Sequence, residues 1–185
     1  MRPSASAILS CALILGALAG SPARAATVTG SLAKASVVWI TQRTQPRSAE
    51  AERRNRDRTF NPGLIVIAAG TSVRFPNDDP YFHSIYTVST PDPFDIGYYG
   101  NGPGKLVLFS SPGVIDVHCH IHPTMHGVII VVDGPSTSGP VNTFSLGGVS
   151  PGNHSLHIWN ESTGERSMDV VIPAQKSSVD LGKFK

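Results

Sequence analysis

The sequence predicts an all-β protein, built as an antiparallel sandwich or barrel. Three observations point there. Short runs of apolar and β-branched residues recur along the chain, several of them alternating with period two. Glycine- and proline-rich turns punctuate them at close intervals. Almost no stretch carries the 3.6-residue periodicity of an amphipathic helix.

Taken in order, the chain opens with a leader. Arg2 is its charged start, Ala5 to Gly20 is apolar apart from Ser6 and Ser10, and Ala23-Arg24-Ala25 fits a small-residue cleavage site. A signal peptide over residues 1–25 is expected, and with it export to the periplasm. The apolar run is too short for a membrane span and Pro22 closes it, and the run continues too far past Cys11 for a lipoprotein cysteine. The whole chain has 15 basic and 13 acidic residues; the leader takes two arginines and no acid, leaving 13 of each. A neutral mature chain gives no reason to expect nucleic acid or an anionic membrane as partner. No later run is long enough to span a membrane.

Thr27 to Ile40 reads as one or two short strands broken at Gly30. Residues 41–58 hold six arginines and three acids and read as a solvated connector, with a short helix allowed from Ser48. Asn61-Pro62-Gly63 is a turn. Leu64–Ala68, Ser72–Phe75 and His83–Val88 are strands, with a polar loop at 76–80. Pro91 to Gly104, with three prolines and four glycines, reads as irregular surface. Lys105–Phe109, Val114–Cys119 and Gly127–Val132 are strands again. Residues 59–133 hold two basic and six acidic side chains, so this region is net negative.

Residues 134–140 form a linker by composition. Short strands follow around Thr143–Leu146, His154–Trp159, Met168–Ile172 and Ser178–Leu181. About fifty residues rarely bury a core alone, so the strands of residues 26–40 are expected to join them in a small accessory sandwich. The expected division is therefore 26–58 as first accessory strands plus connector, 59–133 as the main sandwich, and 134–185 as the accessory remainder.

The chemistry concentrates between two of these strands. His118-Cys119-His120-Ile121-His122-Pro123-Thr124-Met125-His126 holds one thiol, four imidazoles and a thioether. After loss of the leader Cys119 is the only thiol, which suits a ligand better than half a disulfide. Period two puts Ile115, Val117 and Cys119 on one strand face and Asp116 and His118 on the other. Cys119, His122 and Met125 then follow at three-residue steps around a turn stiffened by Pro123. A fourth ligand has to come from another strand, and His83 is the only upstream histidine. Thiolate, two imidazoles and a weak thioether is the donor set of a mononuclear blue-copper site, a single type 1 ion. A structural zinc site is the competing assignment, but methionine is a poor zinc ligand and such sites favour more thiolates.

With these residues in view, the chain from about Gly70 to Asp133 resembles the cupredoxins, and its short Cys119-x-x-His122-x-x-Met125 loop resembles the amicyanin branch. The framework Phe60-Asn61-Pro62, Gly70-Thr71, Val73, Phe75-Pro76-Asn77-Asp78, Phe94-Asp95, Gly97 and Pro112-Gly113 resembles bacterial proteins labelled methylamine-utilisation or plastocyanin-like. That resemblance implies an eight-stranded Greek-key β-sandwich carrying single electrons, with His122 as the solvent-facing ligand. One position departs: Ser84 stands where amicyanin-like proteins usually have an asparagine that ties the two ligand loops. Phe144, Leu146, Val149, Pro151-Gly152, Leu156, Ile158 and Trp159 resemble the carboxypeptidase regulatory-like sandwich, whose role is structural or accessory.

His118-Cys119-His120 also resembles multicopper oxidases. Their coupled cluster needs eight further histidines and this chain has seven in all, so an enzyme is not expected. His118, His120 and His126 read as exposed residues that alternatively help capture copper, and His154 and His157 as solvent-facing or packed on Trp159. The expected function is an exported, monomeric electron carrier whose redox-protein partner docks near His122, Pro123, Thr124, Tyr81, Phe82, Tyr98 and Tyr99. A periplasmic copper chaperone and a cell-surface binding module are the alternatives.

Overall fold

The structure, a computed structural model, describes residues 24–43 and 48–185. The expected signal peptide falls almost wholly on residues 1–23 and so lies outside the described residues. The described chain is strand throughout. Its elements are β1 (Ala26–Ile40), β2 (Ala49–Glu52), β3 (Arg54–Arg56), β4 (Thr59–Asn61), β5 (Leu64–Ala68), β6 (Thr71–Asn77), β7 (His83–Thr87), β8 (Phe94–Tyr99), β9 (Gly102–Phe109), β10 (Gly113–Cys119), β11 (His126–Val132), β12 (Val141–Val149), β13 (Gly152–Asn160), β14 (Gly164–Ile172) and β15 (Ser178–Phe184). Among the described residues no helix is long and apolar enough to cross a membrane.

Two sheets enclose the first core. One runs β5-β11-β10-β7-β8; the other has β6 at its centre, with β2, β3 and β9 paired to it and β4 beyond β3. Phe60, Val73, Phe75, Ile85, Phe109, Ile115, Val117, Cys119, Met125, Ile129 and Val131 meet between them. The sheets are mixed rather than purely antiparallel, because β2 and β3 run parallel to β6 and β5 runs parallel to β11.

Two expectations fail here for the same reason. The arginine-rich segment is not a solvated connector: residues 49–56 form β2 and β3, with no helix from Ser48. From Ala51 every second side chain turns inward, so Ala51 packs on the core and Arg53 and Asn55 are buried between exposed Glu52, Arg54 and Arg56. Residues 91–104 are likewise not irregular. They hold β8, which forms a hairpin with β7, and the first part of β9. Glycines with positive φ sit inside these strands, Gly97 at 65° and Gly104 at 72°, where they absorb local twist that other residues resist. At Gly104 a Cβ would lie 1.8 Å from the Phe75 carbonyl oxygen, so only glycine fits.

The second core is built on β1, which is one continuous strand across Gly30. Gly30 is not a break: a Cβ there would meet the Phe144 ring at 2.6 Å, so it is the site of a close approach. The first part of β1 pairs antiparallel with β12 and parallel with β15. After a register shift between Ser31 and Ser36, residues Val37–Ile40 pair with β13, which pairs with β14. One strand thus passes from one sheet to the other. Ala26, Val28, Leu32, Val38, Ile40, Phe144, Leu146, Leu156, Ile158 and Ile172 fill the space between. The opposite face of this unit carries Val37, Trp39 and Trp159, which pack on Val128, Ile130 and Val132 of β11. That explains why β11 is apolar at every position from Val128 to Val132: one face lies in the first core and the other under the β1–β13 sheet.

Candidate metal centre

The site lies at the end of the first sandwich, where β7 begins and β10 ends. Strand alternation turns Cys119 inward in the row Ile115, Val117, Cys119. The turn after it is closed by the Met125 N–H donating to the His122 carbonyl at 2.9 Å, which returns Met125 to the buried cluster containing Cys119. His83, on the neighbouring strand, is fully buried. The Nδ1 atoms of His83 and His122 lie 3.7 and 3.6 Å from Cys119 Sγ, and all three ligand atoms lie within 4.8 Å of one another. The two imidazole rings are 4.8 Å apart, centroid to centroid.

The orientation of His83 is set from behind. Its Nε2–H donates to Asp79 at 2.9 Å, leaving the Nδ1 lone pair directed toward the thiol. Asp79 is itself buried and also accepts the backbone N–H groups of Asp57 at 2.7 Å and Arg58 at 3.1 Å. Burial pushes its pKa up, but the Arg58 and Asp57 amides, and then His83, outweigh this and hold the carboxyl below its usual range. Asp57 and Arg58 form the two-residue β3–β4 turn, with φ of 55° and 56°. Non-glycine residues rarely adopt this conformation; the Asp79 carboxylate offsets its cost. Burial, then the neighbouring His83 and Arg58, lower the pKa of His122, so its ring is neutral at neutral pH.

Two further bonds join the ligand segments. The Ser84 N–H donates to Cys119 Sγ at 3.5 Å, and the His120 N–H donates to the Ser84 carbonyl at 2.9 Å. The ligand loops are therefore tied through backbone groups at Ser84, the position that departs from the amicyanin-like pattern. Ser84 Oγ itself is buried without a hydrogen-bond partner. Tyr81 presents its ring to the His122 edge at 5.5 Å, beneath the Arg58 guanidinium at 5.0 Å.

The spacing of this donor set would suit a single metal ion. Bonds of about 2.3 Å to sulfur and about 2.0 Å to nitrogen, at about 120°, give sulfur–nitrogen edges of about 3.7 Å, against the 3.6 and 3.7 Å found.

The remaining histidines lie elsewhere. His118, His120 and His126 are on the outer face of the β10–β11 sheet, where His120 meets Asp95 at 3.1 Å and His126 meets Asp116 at 3.0 Å. His157 stacks on Trp39 rather than Trp159, with rings parallel and 4.9 Å apart. Tyr99 is not part of a surface face: strand alternation in β8 turns it inward, where its hydroxyl accepts from Asn55. Its neighbour Tyr98 and Phe82 are 69% and 60% exposed. Asp79, Arg58 and the Ser84 amide went unseen in sequence. The only signal for Asp79 was its place four residues before His83.

No protein-family model matches the chain, and no curated relative does. Solved structures do resemble it. A Cu-containing nitrite reductase from Thermus scotoductus SA-01 is 29% identical with a TM-score of 0.42, covering 44% of this chain and 22% of that one. A purple cupredoxin from Nitrosopumilus maritimus is 24% identical with a TM-score of 0.41, covering 44% and 98%. A reduced amicyanin variant is 18% identical with a TM-score of 0.41, covering 44% and 80%.

Proposed function

We infer that the protein is an exported, monomeric, mononuclear copper protein that carries single electrons between redox partners. His83, Cys119 and His122 would hold the copper ion as strong ligands, with the Met125 thioether as a weak donor. The observation that carries this reading is the pair of matched Sγ–Nδ1 edges, with both imidazoles presenting the same nitrogen to one thiol. A copper ion bound there supplies one-electron Cu(II)/Cu(I) chemistry, which a mixed thiolate, imidazole and thioether set serves in both states. A lone thiolate with a thioether is a poor structural zinc set, which favours copper.

The chain's own residues keep reorganisation small. Asp79 fixes the His83 ring, the Ser84 amide holds the sulfur, and Met125 and Cys119 are packed in the core. His122 is the half-buried member and forms the route to solvent. Around it Phe82, Tyr98, Ile121, Pro123 and Thr124 give an exposed, largely apolar rim suited to a transient protein partner. A carrier needs no substrate pocket, and the His120–Asp95, His126–Asp116 and His157–Glu165 pairs stand outside the centre. Those surplus histidines are the observation favouring the second reading, a copper-handling protein without a shuttle role.

Voltammetry of the copper-loaded protein separates the two. A reversible one-electron wave, lost in Cys119→Ala and kept in His120→Ala, is the expected result. A colourless protein that takes up only Cu(I) replaces the carrier with the copper-handling reading.

A further inference from the structure

The outer face of the β10–β11 sheet holds an ordered row of side chains that the centre does not use. Cross-strand register aligns Asp95, Tyr86, His118 and His126 on four adjacent strands, β8, β7, β10 and β11. All four project from the face opposite Cys119. His120 folds back over the row, its ring parallel to Tyr86 at 3.8 Å and its Nε2 on Asp95. At the other end His118 and His126 stand directly opposite each other, ring centroids 5.0 Å apart, and Asp116 accepts from His126 Nε2 at 3.0 Å.

We propose that the His118–His126 pair is a second transition-metal site, taking a divalent ion of the Cu(II) or Zn(II) type, with Asp116 positioning His126. Three observations converge on it. The ring separation of 5.0 Å nearly equals the 4.8 Å between the two imidazoles that face Cys119. Asp116 holds His126 by Nε2, leaving Nδ1 as the lone-pair nitrogen, just as Asp79 holds His83. The strand pairing beneath is unbroken from Gly113↔Val131 to His118↔His126, so the two rings are carried on a rigid ladder.

Without a metal the arrangement has little to recommend it. The Asp116–His126 pair is exposed and adds little to stability. The net negative surroundings, with Asp95 and Asp116 alongside, favour a cation. The two imidazoles of β13 do not compete. Both nitrogens of His154 are engaged, by the Thr41 and Ser150 carbonyls, as are both of His157, by Glu165 and Thr41. Cu(II) binds such nitrogen sites most tightly among the first-row divalent ions.

The test is a Cu(II) titration of the whole protein, with bound metal counted and EPR recorded. The expected result is a second equivalent with the signal of a nitrogen–oxygen site, distinct from the thiolate-bound first. His118→Asn and His126→Asn each remove it and keep the first, whose visible band reports an intact fold. Asp116→Asn weakens it by roughly 10-fold to 100-fold. Cys119→Ala loses the first equivalent and keeps the second, so failure of the centre and failure of this site read differently. A single equivalent in the unaltered protein, or a second that survives both histidine substitutions, overturns the proposal.

Discussion

Asp79 links the His83 ring to the backbone of a hairpin turn more than twenty residues upstream, at Asp57 and Arg58. An asparagine that keeps its oxygen on His83 and the Arg58 amide turns its NH2 group toward the Asp57 amide. Asp79→Asn is therefore expected to lower copper affinity by roughly 10-fold to 100-fold in a competitive titration; unchanged affinity would show that packing alone fixes the ring. Ser84→Ala should leave stability within about 0.5 kcal/mol by denaturant unfolding, since the buried hydroxyl has no partner to lose and the amide bond to Sγ is backbone. The four proposed ligands were legible at this scale because three lie at fixed steps on one turn and the fourth had no rival. Asp79 was not. In sequence it is one more polar residue in a turn, and its meaning depends on amides that only folding brings to it.

At the scale of elements, β2 and β3 tie the two sheets together through buried polar side chains. Arg53 is fully buried; its guanidinium donates to the carbonyls of Gly63 at 2.6 Å and Val128 at 3.3 Å and lies over the Phe60 ring at 4.6 Å. Burial pushes its pKa down to about 9, so it is still cationic at neutral pH. Gly127 is small for its sake, since a Cβ there would meet the guanidinium at 1.6 Å. Arg53→Ala is expected to cost about 2–5 kcal/mol in chemical denaturation, from a cavity and the loss of both guanidinium hydrogen bonds, although the Gly63 carbonyl keeps the Val128 N–H. Asn55 on β3 donates to Tyr99 on β8. Burial, and more weakly the nearby Cys119, raise the Tyr99 pKa in the folded state. A phenol whose folded pKa lies above its unfolded value of about 10 stabilises fully below that pH, and the contribution fades as pH rises beyond it. Alkaline unfolding should therefore be blunted in Tyr99→Phe, and equal alkaline sensitivity of the two proteins would contradict this. These strands were hidden in sequence because charge masked the alternation: residues 49–56 look like a solvated tether until every second side chain is found facing inward.

On the scale of the whole molecule, the strands fall into two cores with a third cluster between them. All-β architecture and most strand positions were legible, because period-two patterning and glycine–proline punctuation are local signals. The parallel pairings of β5 with β11 and β2 with β6, and the passage of β1 between two sheets, were not, because register over long separations leaves no local trace. The contact of Trp39 and Trp159 with β11 makes the second unit part of the first sandwich's support. Trp39→Ala should cost about 3–5 kcal/mol, read as a lowered denaturation midpoint. That loss should leave the ligands in place, because they stand at the far end of β10 on its other face. One thiol and two imidazoles sharing a copper ion are the core of the proposed function. X-ray absorption of the protein carrying one equivalent of copper reads that shell directly. One sulfur and two imidazole nitrogens are predicted, reduced to nitrogen and oxygen alone in Cys119→Ala; a sulfur-free shell in the unaltered protein would contradict the assignment.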